Sequence, residues 1–353
     1  MPGVNWEAHR AVIVGISGLT LTAEEIDFLK NFRPFGFILF GRNCQTPDQL
    51  RKLVETIRLI PGQKDAPILI DQEGGRVSRL KAPGWRHPPA ARVFGKLCEH
   101  NLDQGLQAAY LNARIISSDL AKVGINVDCA PVLDVLTSET HEIIGDRSYS
   151  CDARLVARIG DYVCRGFMDG GIIPVIKHIP GHGRAEVDSH LELPKVGEKL
   201  KSLRDRDFIP FNRAPDGVWA MTAHILFEAI DPKFPVTHSK IIIQDLIRGE
   251  IGFAGLLVSD DIGMRALKGS LSERVNGAFE AGCDVVLHCS GNLSEMQEIA
   301  PFVPPLGPRA VDRIKHSFAS LSVSQKNVEN SFSIAHAEEE LREILLFLHL
   351  KIH

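Results

Sequence analysis

A single rhythm narrows what this chain can fold into. Short, nearly continuous apolar runs recur along it: "AVIVGI", "GFILF", "PILID", "INVDCAPVLD", "IIPVIKH", "VWAMTAH", "GLLVSDD" and "CDVVLHC", with longer amphipathic segments between them. Unbroken rather than alternating apolarity marks strands buried on both faces, as a parallel sheet covered by helices requires. The intervening stretches read as helices. "TPDQLRKLVETIRLI" opens on Thr and Pro as a capped helix does, and "LVARIGDYVCRGFMDGG" closes on glycines as a helix end does. About eight such units predict an α/β chain closed into a (β/α)8 TIM barrel. A doubly wound open sheet is the alternative, but no GxGxxG follows the first run.

No linker, low-complexity tract or composition break divides the chain, so one domain is expected over residues 1–353, within the range of a barrel. The tail from about residue 308 reads as two helices, "PRAVDRIKHSFASL" and "AHAEEELREILLFLHL", expected to pack outside the barrel. The early "AVIVGISGLTL" lacks an A-x-A site and runs on into a helical pattern, so it is read as the first core strand rather than a secretory segment. No apolar run reaches the roughly 20 residues of a membrane span. A net charge of −4 with scattered basic residues offers nucleic acid no surface. The seven cysteines are odd in number, contain no CxxC and often lie in apolar runs, which suits reduced thiols of a cytosolic protein.

Polar residues appear repeatedly where an apolar run ends: Asp71, Asp134, Lys177 with His178, His224 and Asp260. In a barrel these C-terminal strand ends converge on one face, where active sites sit. Asp260 can thus be aimed into the barrel mouth, or cap the helix that follows. Alternation along the strand should turn Asp261 away. Asp188 and His190, two apart in the polar stretch "KHIPGHGRAEVDSH", would share a side of an extended loop. Asp188 could then hold one ring nitrogen of His190 while the other exchanges a proton, at an ordinary pKa of about 6.5.

In their order, "DQEGGRVSRL", "APVLDV", "GDRSYS", "KHIPGHGRAEVDSH" and "LLVSDDIGM" resemble glycoside hydrolase family 3, across roughly residues 10–290. Within it they are similar to the single-domain bacterial β-N-acetylhexosaminidases of peptidoglycan recycling. Gly263 is a small departure, where many relatives carry Ser. The resemblance implies that Asp260 is the nucleophile of a retaining mechanism and His190, assisted by Asp188, the acid/base. It assigns Asp71, Arg79, Arg147, Lys177 and His178 to sugar hydroxyls, although Arg147 could instead only bridge to a carboxylate. His182 is expected to organise its loop, with Asp134 and His224 behind the contact residues. The implied substrate is a GlcNAc–1,6-anhydro-MurNAc muropeptide in the cytoplasm. The expected enzyme is a monomer with no cofactor, no metal and no nucleic-acid or membrane partner. Two rivals remain. Zinc could sit on His178, His182, Asp188 and His190, but no HExxH or HxH pattern supports it. The barrel could also bind sugar without catalysis, against which stands the co-occurrence of nucleophile, dyad and binding positions.

Overall fold

The computed structural model describes residues 4–137, 144–185, 189, 192–327 and 332–352. Eight strands form a closed, wholly parallel barrel: β1 (Arg10–Gly15), β2 (Pro34–Leu39), β3 (Ile68–Ile70), β4 (Val127–Asp128), β5 (Ile173–Ile179), β6 (Trp219–Thr222), β7 (Leu257–Asp261) and β8 (Val285–His288). Each pairs with the next, and β8 returns to β1 through Val286 beside Val12. Every expected apolar run supplies one strand. β2 and β5 are buried along their whole length, since the sheet has side chains on one face and helices on the other.

The run around β4 is the exception in extent. Only Val127 and Asp128 pair as a strand, because Pro131 has no N–H to give a ladder. The chain stays beside β5 by other bonds: the Leu133 N–H donates to the Lys177 carbonyl (2.7 Å), and the Lys177 N–H to the Pro131 carbonyl (3.1 Å). This carries Asp134 past the sheet to the end of β5.

Local signals place the helices. Thr46 caps Pro47–Leu59 by accepting the Gln49 N–H, and Asp152 caps Ala153–Asp169, which ends at Gly170. Thr22 with Glu25 and Ser270 with Glu273 form reciprocal capping boxes at Ala23–Phe32 and Leu271–Ala281. Between β6 and β7 the connection is wound as a π-helix, Ile242–Glu250.

The tail helices lie outside the barrel as expected. Pro308–Asn327 packs on Ala153–Asp169 and β5, and Ile334–Ile352 packs on Leu102–Lys122, with Ala337 and Leu341 buried. All seven cysteines are unpaired, and Cys151 is exposed. Among the described residues no helix is long and apolar enough to cross a membrane.

A buried hydrogen bond ties the first tail helix to β6. Trp219 on β6 is fully buried beside Phe35, and its indole N–H donates to Ser317 Oγ (3.1 Å). Trp219→Phe removes that donor and leaves a void, while Ser317 keeps its bond to the Arg313 carbonyl. A loss of about 1–3 kcal/mol is expected in urea unfolding; an unchanged midpoint would mean that the contact contributes nothing.

Candidate active site

The C-terminal strand ends enclose a cleft of about 200 Å³. That is below the roughly 300–1,000 Å³ of clefts for drug-sized ligands, a size for one sugar ring rather than a chain. Asp71, Arg79, Arg147, Lys177, His178 and Asp260 all line it, and so do Glu73, His182, Ser189 and Asp261. Asp188 and His190 lie outside the described residues; Ser189, between them in sequence, is buried on the cleft wall.

A network of charges forms one side. Lys177, at the end of β5, donates to Asp71 Oδ1 (2.8 Å) and lies 2.7 Å from Glu73 Oε1. Asp71 Oδ2 accepts from Arg79 (3.1 Å), and Glu73 accepts two parallel bonds from Arg147, each 2.8 Å. Burial alone would push both carboxyls up. Lys177 and Arg79 instead hold Asp71 far below the usual carboxylate range, and Arg147 with Lys177 holds Glu73 down to about 2. Burial likewise opposes the charge on Lys177, but Asp71 and Glu73 raise its pKa above the usual lysine value. Glu73 escaped the sequence reading. Its spacing from Asp71, two positions along a chain leaving a strand, was the available signal for a shared face. Arg147 therefore makes the expected alternative contact, a bridge to a carboxylate, while still lining the cleft.

A second network fixes the start of the "PGHG" loop. Asp134 Oδ2 faces His178 Nδ1 (2.7 Å), and Oδ1 accepts the backbone N–H groups of His178 (3.2 Å) and His182 (2.6 Å). Burial would raise the Asp134 carboxyl, but His178 and the His182 bonds bring it below its ordinary value. With Nδ1–H given to Asp134, the Nε2 of a neutral His178 is left as an acceptor. Gly183 is required by close approach: a Cβ there would meet the Val135 carbonyl oxygen at 2.0 Å.

At β7 the expected alternation fails. The pairing register shifts between Val258 and Asp261, and both Asp260 and Asp261 line the cleft. Hydrogen bonding distinguishes them. Asp261 Oδ1 accepts the backbone N–H groups of Gly263 (2.9 Å) and Cys289 (3.1 Å), so this carboxylate secures the following turn. Asp260 Oδ1 accepts the Asp261 N–H (2.8 Å). Behind them His224 Nε2 meets the Asp261 carbonyl (2.9 Å), which makes Nε2 the donor, and Nδ1 faces Thr237 Oγ1 (2.7 Å). His224 is thus behind the cleft as expected, and burial lowers its pKa. Among the described residues no group of three or more His, Cys, Asp and Glu could hold a metal ion.

The pKa shifts fix how stability depends on pH. His182, lowered to about 4, and His224 stay neutral where an unfolded chain already binds protons near 6.5. At these two groups the unfolded state then holds more protons, so their contribution to stability falls as pH drops from about 6.5, opposed by buried Asp128, whose pKa is raised to about 8. Below about pH 4 the unfolded carboxyls add to this, because Asp71, Glu73 and Asp134 resist protonation when folded. Glu73→Gln should cost about 3–5 kcal/mol at pH 7, as breaking a buried ion pair does, and lessen the fall below pH 4. Urea unfolding at pH 3, 5 and 7 checks both signs; an equal loss at all three would contradict them.

Comparison with known proteins agrees with this geometry. The glycosyl hydrolase family 3 N-terminal domain matches residues 12–333. A β-hexosaminidase of Alkalilimnicola ehrlichii is 38% identical over 285 residues, covering 79% of this chain and 80% of the relative. One from Aromatoleum aromaticum is 33% identical over 310 residues, 86% of each. Among solved structures, NagZ from Neisseria gonorrhoeae in complex with N-trifluoroacetyl-D-glucosamine superposes with a TM-score of 0.83 at 30% identity, covering 96% of this chain and 98% of that one. The chain therefore belongs to glycosyl hydrolase family 3, among its β-N-acetylhexosaminidases.

Proposed function

We propose that this glycoside hydrolase removes terminal, non-reducing β-linked N-acetylglucosamine with retention of configuration, from GlcNAc–1,6-anhydro-MurNAc fragments in peptidoglycan recycling. The observation that carries it is Asp260. It is a carboxylate at the end of a barrel strand, on a cleft sized for one ring, facing a wall of charged hydrogen-bonding groups.

Asp260 attacks the anomeric carbon and forms a covalent glycosyl ester, dividing one difficult step into two easier ones. His190 protonates the departing glycosidic oxygen, then takes a proton from the water that hydrolyses the ester. Asp188 holds the ring and stabilises the imidazolium. Two features support that loop assignment. Ser189 lines the cleft, and its carbonyl accepts the N–H of Ala266, in the segment that follows Asp260. Asp71, Arg79, Arg147, Lys177 and His178 bind the sugar. In that wall each Asp71 oxygen meets one cation and keeps a lone pair for a sugar hydroxyl, whereas Glu73 Oε1 is already taken by Arg147 and Lys177. Acid, nucleophile and binding groups are all side chains of one domain, residues 1–353, working as a cytoplasmic monomer without a cofactor.

Leaving groups separate proton donation from binding. An alkoxide needs protonation to depart, whereas a nitrophenolate departs largely unaided. His190→Ala should therefore cut single-turnover cleavage of the muropeptide disaccharide about 10²–10⁴-fold more than the burst from an aryl N-acetylglucosaminide. Asp260→Ala should cripple both alike. Equal losses for His190→Ala would reduce it to a positioning residue. A fluorinated, slow-turnover GlcNAc donor should label the Asp260 peptide; an oxazoline product with no label would favour attack by the substrate's own acetamide.

Metal dependence has a simpler test. Activity is expected to survive exhaustive chelation, and loss of activity that added zinc restores would overturn the role of His190.

A further inference from the structure

His182 has two separable parts. Its backbone N–H holds Asp134 Oδ1, which organises the loop whatever the side chain is. The ring does something else. It is 97% buried by surface yet lines the cleft, with its centroid 5.4 Å from the ring of His178. Its Nδ1 is sealed from solvent with no hydrogen-bond partner among the described residues. Nothing there fixes the tautomer, in contrast to His178, whose Nδ1 is held by Asp134. A buried polar group left unsatisfied typically costs as much as a lost hydrogen bond, so such an arrangement calls for an explanation.

We propose that the His182 ring is a further substrate-binding residue, a neutral imidazole that completes its hydrogen bonding on the bound N-acetylglucosamine beside Asp260. The inference rests on the hexosaminidase chemistry above. Its logic is one of complementary roles. Lys177, Arg79 and Arg147 only donate, and the ionised carboxylates of Asp71 and Glu73 only accept. A sugar hydroxyl both donates and accepts. An imidazole with no imposed tautomer can offer either an N–H or a lone pair, so it can meet whichever function the charged wall leaves over. Burial, with His178 close by, also disfavours its protonation, so it adds no positive charge to a cleft already rich in cations.

The test uses the full chain and N-acetylglucosamine as the probe. His182→Leu should weaken its binding in calorimetry by about 3–10-fold, the range for one neutral hydrogen bond. His182→Gln, whose amide nitrogen falls near the position of Nε2, should recover part of that loss. Without sugar, His182→Leu should melt no lower than the wild type, because an unsatisfied polar group has been removed. In imidazole ¹⁵N spectra at pH 7, the wild-type His182 signals should be those of a neutral ring and should move as the sugar saturates. Should the leucine variant not fold, the spectra of the wild type decide alone. Unchanged affinity in both variants, or ring signals that stay still at saturation, would overturn the inference while leaving the enzyme's activity untouched. A wild type that neither binds N-acetylglucosamine nor releases it from substrate would overturn the hexosaminidase chemistry, and this inference with it.

Discussion

The site depends on one buried ammonium. Lys177 projects from the middle of the barrel mouth, is 3% exposed at its side chain, and meets Asp71 at 2.8 Å and Glu73 at 2.7 Å. An ion pair taken out of water is weak support for stability by itself, because desolvation offsets the Coulombic gain unless every partner is well placed. Here each carboxylate has a second cation, Arg79 for Asp71 and Arg147 for Glu73. The result is a chain of alternating charge, Arg79–Asp71–Lys177–Glu73–Arg147, that draws together β5 and the segments after β3 and β4. Removing a link strands a charge, so the wall is held rigid before any ligand arrives. Preorganised donors of this kind need no rearrangement when a sugar binds.

Much of this was legible in the sequence, and where it was not the reasons are local. Every apolar run became a strand because two-sided burial imprints itself on composition, and polar strand ends converged because the barrel leaves them no other face. Asp71, Arg79, Arg147, Lys177, His178 and Asp260 were all brought to one cleft. Three features were not read in advance. Glu73 was passed over, and its partners Arg147 and Lys177 are 74 and 104 positions further along the chain. The β4 run, although largely apolar, leaves the ladder at Pro131. Asp261 was assigned to the far side of its strand by a periodicity that a register shift interrupts. Pattern arguments assume regular elements, and functional sites collect the irregular ends of them.

The two groups assigned to the chemistry are held differently. Asp260 stands on a barrel strand whose last residue is clamped three ways: the Asp261 carboxylate takes N–H groups from Gly263 and Cys289, and its carbonyl takes the His224 N–H. The Asp261 backbone and side chain thus help to set the position of Asp260, whose own Oδ1 accepts the Asp261 N–H. The loop toward His190 is tied at separate points instead. The His182 N–H holds Asp134, Arg184 Nε donates to Asp207 Oδ2 (2.8 Å), and the Ser189 carbonyl accepts from Ala266.

This division has a chemical logic. A nucleophile must meet a carbon whose place is fixed by the sugar wall, and strands of a scaffold hold geometry more precisely than loops. An acid/base must follow an oxygen that first departs with the leaving group and is then replaced by water. Asp260 on β7, as the proposed nucleophile, suits the first demand, and His190, as the proposed acid/base, the second. The Ala266 bond bears on this division, because Ala266 follows β7 in the chain and so ties Ser189, next to the proposed proton carrier in sequence, to the segment that follows Asp260, the proposed nucleophile.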